Sequence, residues 1–477
     1  MEYQPVIGLE VHAELSTKTK IYCNCKNAFG LEVNSQVCPI CMGMPGTLPK
    51  LNEKVVEYAI KMGHALHCNI NDVCKQDRKN YFYPDLPKAY QISQAEVPLC
   101  ENGYLDVLVD GETKRIGVTR IHIEEDAGKL LHSDSFDGSL VDYNRCGVPL
   151  IEIVSEPDMR SSKEAKAYLE TIKLTLQYLD ISDCKMQEGS IRCDVNVSVM
   201  KKGSDEFGTR TEMKNVNSFS AAVRGIEYEI ARQIEILENG GTVEQETRRW
   251  DDVKGESILM RSKEDAHDYR YFPEPDLLTI VVPKEQVTEL KETLPELPSE
   301  KMIHYVKDLG LSDVEAFTMC ENTDKARMLD ECVAIGTCKP RSIMNWITGD
   351  ISRYMNETGK SIFDDTKLTA SRLCELIGII EKGTISTNAG KAVFEELLVS
   401  DKSVNEIIEE KGLSQISDKT ALYDIAKQVL SDNEKSVTDY KGGKTNALGF
   451  LVGQCMKASK GKANPGLMKE IILELIG

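Results

Sequence analysis

An α+β fold is expected for this chain, with an antiparallel sheet first and helices after it. Three observations predict that class: segments that alternate apolar and polar with period two, two long amphipathic helices set between such segments, and a mostly helical pattern beyond Leu294.

The first strand is PVIGLEVHAEL. Ile7, Leu9, Val11 and Ala13 fall on one face and Glu10, His12 and Glu14 on the other. RCDVNVSV repeats the pattern, setting Cys193, Val195 and Val197 against Arg192, Asp194, Asn196 and Ser198, and TRTEMK puts Arg210, Glu212 and Lys214 on one face. A wet face is ordinary for an antiparallel sheet. A mixture of histidine, carboxylates and cations also suits a concave functional face, and we favour that reading.

Two helices are well marked. Ser161 and Glu164 form a capping-box pattern ahead of Ala165, Tyr168, Leu169, Ile172, Leu176 and Leu179. The second carries Phe219, Val223, Ile226, Ile230, Ile234 and Leu237 and stops at Asn239, Gly240 and Gly241. LPELP, Leu294 to Pro298, breaks regular structure and marks a boundary. A further division near Asp401 gives three expected parts: 1–295, 296–400 and 401–477.

At 477 residues the chain exceeds one ordinary core. Hydrophobic residues at 41% and charged residues at 28% suit a soluble globular protein. No run of about eighteen apolar residues predicts a membrane span, and MEYQPVIGLE does not read as a signal peptide. Fifteen cysteines in that setting suggest a reducing cytoplasm and metal binding rather than disulfides. The net charge of −19 argues against nonspecific nucleic-acid binding, so DNA is not an expected partner.

Basic residues are nevertheless concentrated twice. DRKNYFYPDLPKAYQISQ, Asp77 to Gln94, sets Arg78, Lys79 and Lys88 among Tyr81, Phe82, Tyr83 and Tyr90. Cations beside aromatic faces suit a nucleotide or an RNA end, although tyrosines that merely pack on the core would look the same. Pro84 and Pro87 favour a rigid loop over a helix there. The other concentration is Lys441 to Lys469, with six lysines and no Asp or Glu. Its Lys444, Lys457, Lys460 and Lys462 are candidate RNA-backbone contacts, and Asn464 followed by Pro465 reads as a helix start.

Two constellations could hold metal. Cys23-x-Cys25 followed by Cys38-x-x-Cys41 has the paired spacing of a structural zinc site filled entirely by sulfur. Glu10, His12, Glu124, Glu125 and Glu152 offer oxygen donors and one imidazole, which suits Mg²⁺ or Mn²⁺. Glu124 and Glu125 point opposite ways in a regular strand, so pattern alone does not choose between them. Gly442-Gly443-Lys444-Thr445 only imitates a phosphate-binding loop, because Thr438 stands where a glycine is required. Ser161-Ser162-Lys163 reads as a helix start rather than an amidase nucleophile arrangement.

GLEVHAEL at Gly8 to Leu15, RIHIEEDAGK at Arg120 to Lys129 and PLIEIVSEPD at Pro149 to Asp158 resemble the B subunit of the heterotrimeric aspartyl/glutamyl-tRNA amidotransferase. So do the Asp77–Gln94 segment, ILMRSKEDAHDYRYFPEPD at Ile258 to Asp276 and GFLVGQCMKASKGKANP at Gly449 to Pro465. The resemblance implies a catalytic cradle, a helical linker domain and a small tail domain that touches tRNA. It implies that ATP phosphorylates the side-chain carboxylate of Glu or Asp mischarged on tRNA and that ammonia then displaces the phosphate. Ammonia would come from an amidase-type glutaminase, the A subunit, with a small C subunit holding the two together. The carboxylate group becomes a metal-dependent kinase-like site, catalytic through Glu10, His12, Glu125 and Glu152, with Glu125 preferred over Glu124. Arg78, Lys79, Tyr81, Tyr83, Lys88, Tyr90, Arg192, Asp194, Glu212 and Lys214 become candidate substrate or nucleotide contacts. Family members differ in keeping the four cysteines, so zinc is expected not to be essential to the reaction. The competing expectation is a noncatalytic, zinc-containing tRNA-binding scaffold, which leaves Glu10, His12 and Glu152 without a purpose.

Overall fold

The computed structural model describes residues 2–132, 138–262, 269–414, 419–459 and 463–477. Two compact units divide at Ala316 and Phe317.

The first unit begins with β1 (Tyr3–Glu14), α1 (Glu53–Ala65), β2 (Asn69–Ile70), β3 (Val73–Cys74), β4 (Asp77–Asn80) and β5 (Tyr90–Ser93). It continues with β6 (Cys100–Val109), β7 (Glu112–Glu125), β8 (Lys129–His132), β9 (Ser139–Asp142), β10 (Pro149–Ser155) and α2 (Ser162–Tyr178). Then come β11 (Ile191–Lys201), β12 (Thr211–Val216), α3 (Phe219–Glu238), β13 (Glu246–Asp251) and β14 (Glu256–Ser262). The short β15 (Phe272–Pro273) and β16 (Ile280–Val281) precede α4 (Lys284–Glu292) and α5 (Pro298–Lys307).

Nine strands form one sheet in the order β14-β13-β12-β11-β1-β10-β7-β6-β2. Every neighbouring pair is antiparallel except β12 with β13. That exception departs from the expected antiparallel sheet, and α3 explains it: parallel neighbours need a crossover, and this helix supplies one.

The sheet has two unlike faces. Ile7, Leu9, Val11 and Ala13 of β1 join Ile121 and Ile123, Ile151 and Ile153, and Val195 and Val197 in one buried core. Ala59 and Ile60 of α1, Leu169 and Ile172 of α2, and Ala222 and Ile226 of α3 complete it. The expected class is therefore observed: a sheet-rich first part with helices on its apolar face, then helices.

Local signals hold with two differences. Ser161 caps α2 by accepting from the Glu164 amide at 3.2 Å, but Glu164 reaches the Arg160 amide at 2.6 Å and Lys114 instead of closing the reciprocal box. In α3 the buried row runs through Glu229 and Gln233, while Ile234 and Leu237 stay partly exposed. Glu229 tolerates burial because Arg232 donates to it twice, at 3.0 and 2.6 Å, and Gln233 donates at 2.9 Å.

The Asp77–Gln94 segment is a loop only in its middle. Its ends pair as the β4–β5 hairpin, and β15 adds to the other edge of β4. The LPELP prolines separate α4 from α5, and α5 packs on α2 and β6 within the first unit.

The second unit contains α7 (Thr323–Ile335), α8 (Pro340–Trp346), α9 (Ser352–Thr358), α10 (Ala370–Glu381), α11 (Thr387–Leu397) and α12 (Val404–Glu410), after α6 (Asp313–Cys320), within which the division falls. Its last helices are α13 (Lys419–Asp432), α14 (Glu434–Lys441), α15 (Asn446–Ala458) and α16 (Pro465–Ile476). Leu422, Ala426, Leu451, Cys455, Met468 and Ile472 form a small core of their own among them. Asn464 caps α16 with Pro465 at its first position, as expected. No described helix is long and apolar enough to cross a membrane.

Gly103 in β6 shows how tightly the sheet is packed, since a Cβ there would lie 2.4 Å from the Leu66 carbonyl oxygen and 2.4 Å from Cys68 Sγ. Gly103→Ala should lower the urea-unfolding free energy by about 1–3 kcal/mol. An unchanged midpoint would show that the β6 edge gives way freely.

Candidate active site on the polar face of the sheet

The opposite face of the same strands collects the charges. Cross-strand register sets His122 of β7 beside Glu152 of β10, Glu152 beside His12 of β1, and His12 beside Arg192 of β11. His12 Nε2 lies 3.3 Å from Glu152 and 3.6 Å from Glu124; His122 Nε2 lies 3.2 Å from Glu152 and 3.8 Å from Glu124. Ser93 Oγ donates to Glu124 at 3.3 Å. Burial opposes charge on these groups, but their neighbours outweigh it. Glu152 and Glu124 hold His12 above its ordinary value and push His122 up to about 9, while the imidazoles hold Glu152 and Glu124 low. The ligand atoms of His12, Glu124 and Glu152 lie within 4.8 Å of one another, close enough to hold one cation.

A second group sits beside the first. Glu10, Asp194 and Glu212 also offer ligand atoms within 4.8 Å of one another. Asn196 Nδ2 donates to Glu10 at 2.9 Å; Lys214 reaches Asp194 at 2.6 Å and Glu212 at 2.9 Å. Burial and the Glu152 carboxylate raise Glu10, with Asp194 and Glu212 adding to the effect. Here Glu10 and His12, neighbours on one strand face, serve different groups. Glu10 also lines a cavity of about 290 Å³ with Gly8, Ser155, Asn196, Ser198, Phe207 and Arg210 among its walls.

With this face in view, similarity to known proteins decides the family. Residues 5–288 match the GatB/GatE catalytic domain, and residues 327–476 match the GatB domain. The sequence is 56% identical over 476 residues to the B subunit of the aspartyl/glutamyl-tRNA(Asn/Gln) amidotransferase of Caldicellulosiruptor bescii, covering 99% of both chains. It is 55% identical over 474 residues to that of Thermoanaerobacter pseudethanolicus and 52% over 475 residues to that of Clostridium botulinum, again with 99% of each chain covered. The chain belongs to this family of amidotransferase B subunits. Membership makes it one component of a multi-subunit amidotransferase. The catalytic-domain match contains every residue of both acidic groups, and the GatB-domain match contains the tail lysines.

The preference for Glu125 over Glu124 does not fit the geometry of this family member. Glu124 faces His12 and His122, whereas Glu125 turns away, pairs with Lys88 and accepts from the Ile92 amide at 3.0 Å. Alternation along β7 leaves room for only one of them on the polar face. Lys88 is thereby committed to Glu125. Arg78 is committed as well, donating to Glu274 at 2.6 and 2.9 Å while stacking 4.2 Å from the Tyr90 ring centroid. Among the described residues Lys79 has no such ion-pair partner: its ammonium lies 5.0 Å from the Tyr269 ring and 6.0 Å from that of Tyr81. Burial opposes its charge, yet Glu124 and Glu152 hold it above its ordinary value. Tyr81 donates to Gln91 at 3.3 Å, and Tyr83 is exposed.

Arg192 bonds Asp126 at 2.7 Å, and Arg145 approaches the same carboxylate at 3.5 Å. Burial and the adjoining Asp126 carboxylate push Glu14 up to about 8, whereas Arg192 and Arg145 outweigh burial at Asp126 and hold it low.

The four cysteines do converge: Cys23, Cys25, Cys38 and Cys41 place their sulfurs within 4.8 Å of one another. Lys444 is paired with Asp439 at 2.9 Å, and Lys457 lies in the last turn of α15. Lys460 and Lys462 fall outside the described residues. Sequence reasoning misses His122, although it precedes Glu124 by two residues in RIHIEED and so shares its face. It also misses Asp126, which lies in the same motif.

Glu14 supplies a pH test. A carboxyl whose folded value is raised contributes stability at low pH that is lost as pH rises through that value, here between the ordinary carboxylate range and about 8. The stability of Glu14→Gln relative to wild type should therefore grow between about pH 5 and pH 9 in urea melts. A difference that stays flat across that window would show that burial and Asp126 do not raise Glu14.

Proposed function

We propose that this protein uses ATP to activate the side-chain carboxylate of Glu or Asp mischarged on tRNA, and that ammonia then completes the amide. The observation that carries the reading is the pair of carboxylate groups, His12–Glu124–Glu152 and Glu10–Asp194–Glu212, side by side on one sheet face. A carboxylate is a poor electrophile. Attack of its oxygen on the γ-phosphorus of ATP forms a C–O–P link and expels ADP. Ammonia then adds to the acyl carbon, the C–O bond to phosphate breaks, and the proton lost by nitrogen leaves with the phosphate.

The donor sets suit Mg²⁺ or Mn²⁺, because carboxylate oxygens dominate both. Crowding of Glu10 by Glu152, Asp194 and Glu212 fits a position built for a cation. When bound, such ions neutralise phosphate charge and align the reacting oxygens. The chain's own residues then orient the reactants. We assign the nucleotide to the cavity beside Glu10, where Gly8 leaves the sheet face open, Phe207 exposes a ring for stacking and Arg210 supplies a cation. Lys214 and Lys79 flank the two acidic groups and would steady phosphate and substrate carboxylate.

In this reading an amidase-type glutaminase partner, the A subunit, supplies ammonia, and a small C subunit joins the two. The tail lysines follow the tRNA backbone, the cysteine cluster holds structural Zn²⁺, and the complex works in the cytoplasm. The relatives' names mention both tRNA(Asn) and tRNA(Gln), so either mischarged species is a substrate to assay.

Glu10→Gln keeps size and removes charge. In the reconstituted complex it should lose tRNA-dependent ATP hydrolysis and amidation by about 100-fold or more, with glutamine or with ammonium as nitrogen source. Full rescue by ammonium would instead put Glu10 on the nitrogen-delivery side and sink the placement of the activation site.

A further inference from the structure

Lys20 is an anomaly of burial. Its side chain is 0% exposed. The ammonium donates to the Gln36 carbonyl at 2.8 Å and the Tyr143 carbonyl at 3.4 Å, and it lies 3.8 Å from Cys41 Sγ. Among the described residues no carboxylate is in ion-pair contact with it. Lys88 and Lys214, by contrast, each contact a carboxylate. An ammonium taken out of water without a counter-charge costs several kcal/mol, so an anionic group should stand in contact with it. Among the described residues, the Cys41 sulfur is the one atom in contact with the ammonium that can carry a full negative charge.

The backbone of Lys20 also ties the cluster together. Its amide donates to the Cys25 carbonyl at 3.0 Å, within the first cysteine pair, while its side chain reaches Gln36 and Cys41 at the second. The Cys38 amide donates to Cys41 Sγ at 3.1 Å, a second donor aimed at the same sulfur. Gly147 turns the chain over the group at φ +79°, a conformation that favours glycine, and a Cβ there would make ordinary contact with Cys41 Cβ, Lys20 Cδ and Glu125 Oε2 at 3.6, 3.8 and 3.9 Å. A divalent ion held by four thiolates is a dianion. Its charge is the complement that a buried ammonium lacks.

We infer that Lys20 is the built-in counter-ion of the four-cysteine cluster, so that its charge strengthens binding of a zinc-class ion and lowers the reactivity of Cys41. The inference rests on the zinc reading proposed above. Outer partners of metal ligands change affinity by about 10–100-fold when removed, which sets the size of the expected effect.

The test uses the full-length chain, loaded with Zn²⁺ and titrated with a competing chelator, in wild type, Lys20→Gln and Lys20→Arg. The Gln amide can still donate hydrogen bonds but carries no charge. It should bind Zn²⁺ at least about tenfold more weakly, and Cys41 of the loaded protein should be alkylated faster by iodoacetamide. With Co²⁺ in place of Zn²⁺, its sulfur-to-metal charge-transfer bands should move to longer wavelength. Lys20→Arg, which keeps the charge, should stay close to wild type in all three measurements. Wild-type affinity, alkylation and spectrum in Lys20→Gln would overturn the counter-ion role, and a wild-type chain without stoichiometric zinc would overturn the zinc reading itself. Should Lys20→Gln fail to fold, wild type alone decides: acylation of the Lys20 amine should follow chelator-driven zinc loss, and acylation indifferent to zinc would overturn the proposal.

Discussion

Strand β1 builds both halves of the molecule's first unit from one backbone. Its odd-numbered residues from Ile7 to Ala13 enter the helix-covered core, and Glu10, His12 and Glu14 emerge on the other side. Pairing with β10 and β11 fixes this assignment, because a slip of one residue would bury the acids and expose the aliphatics. The core on one side thus enforces the register that assembles the polar groups on the other. The dependence runs from packing to chemistry: the carboxylates could not be crowded so closely on a sheet whose register was free to shift.

Crowding is what distinguishes this face from an ordinary wet surface. Separated surface acids repel weakly and gain little from a partner. Here Glu124 and Glu152 are buried against two imidazoles, while Glu10, Asp194 and Glu212 share Lys214 and Asn196. Such an arrangement is costly unless cations complete it. The geometry of the two acidic groups is why our proposal places carboxylate activation there and not in the aromatic β4–β5 hairpin. In that hairpin Arg78 and Lys88 already hold internal partners.

Features governed by local rules are legible in the sequence. Period-two alternation marks the two faces of β1 and β11, short polar residues mark the helix caps, and paired spacing brings the four cysteines together. Features set by distant partners are not. Arg78 reads as a free phosphate contact because Glu274 lies 196 residues further along the chain. Glu125 reads as well as Glu124 because only the pairing of β7 with β10, and the position of Lys88, show which one faces the histidines. The parallel β12–β13 pair is hidden by α3, and the buried Glu229 row by the arginine that satisfies it. His122 stands in plain view within RIHIEED; the same alternation that places Glu10 and His12 places it on the polar face.

In the proposed reaction the substrate carboxylate becomes an acyl phosphate before nitrogen arrives. This step is tested most directly by following oxygen. The reconstituted complex would be given tRNA charged with Glu or Asp bearing ¹⁸O in the side-chain carboxylate, together with unlabelled ATP and ammonium. Mass analysis of the released phosphate should find one carboxylate-derived ¹⁸O for each amide formed. Amide produced alongside unlabelled phosphate would rule out the acyl phosphate, because the carboxylate oxygen would then never have been bonded to phosphorus.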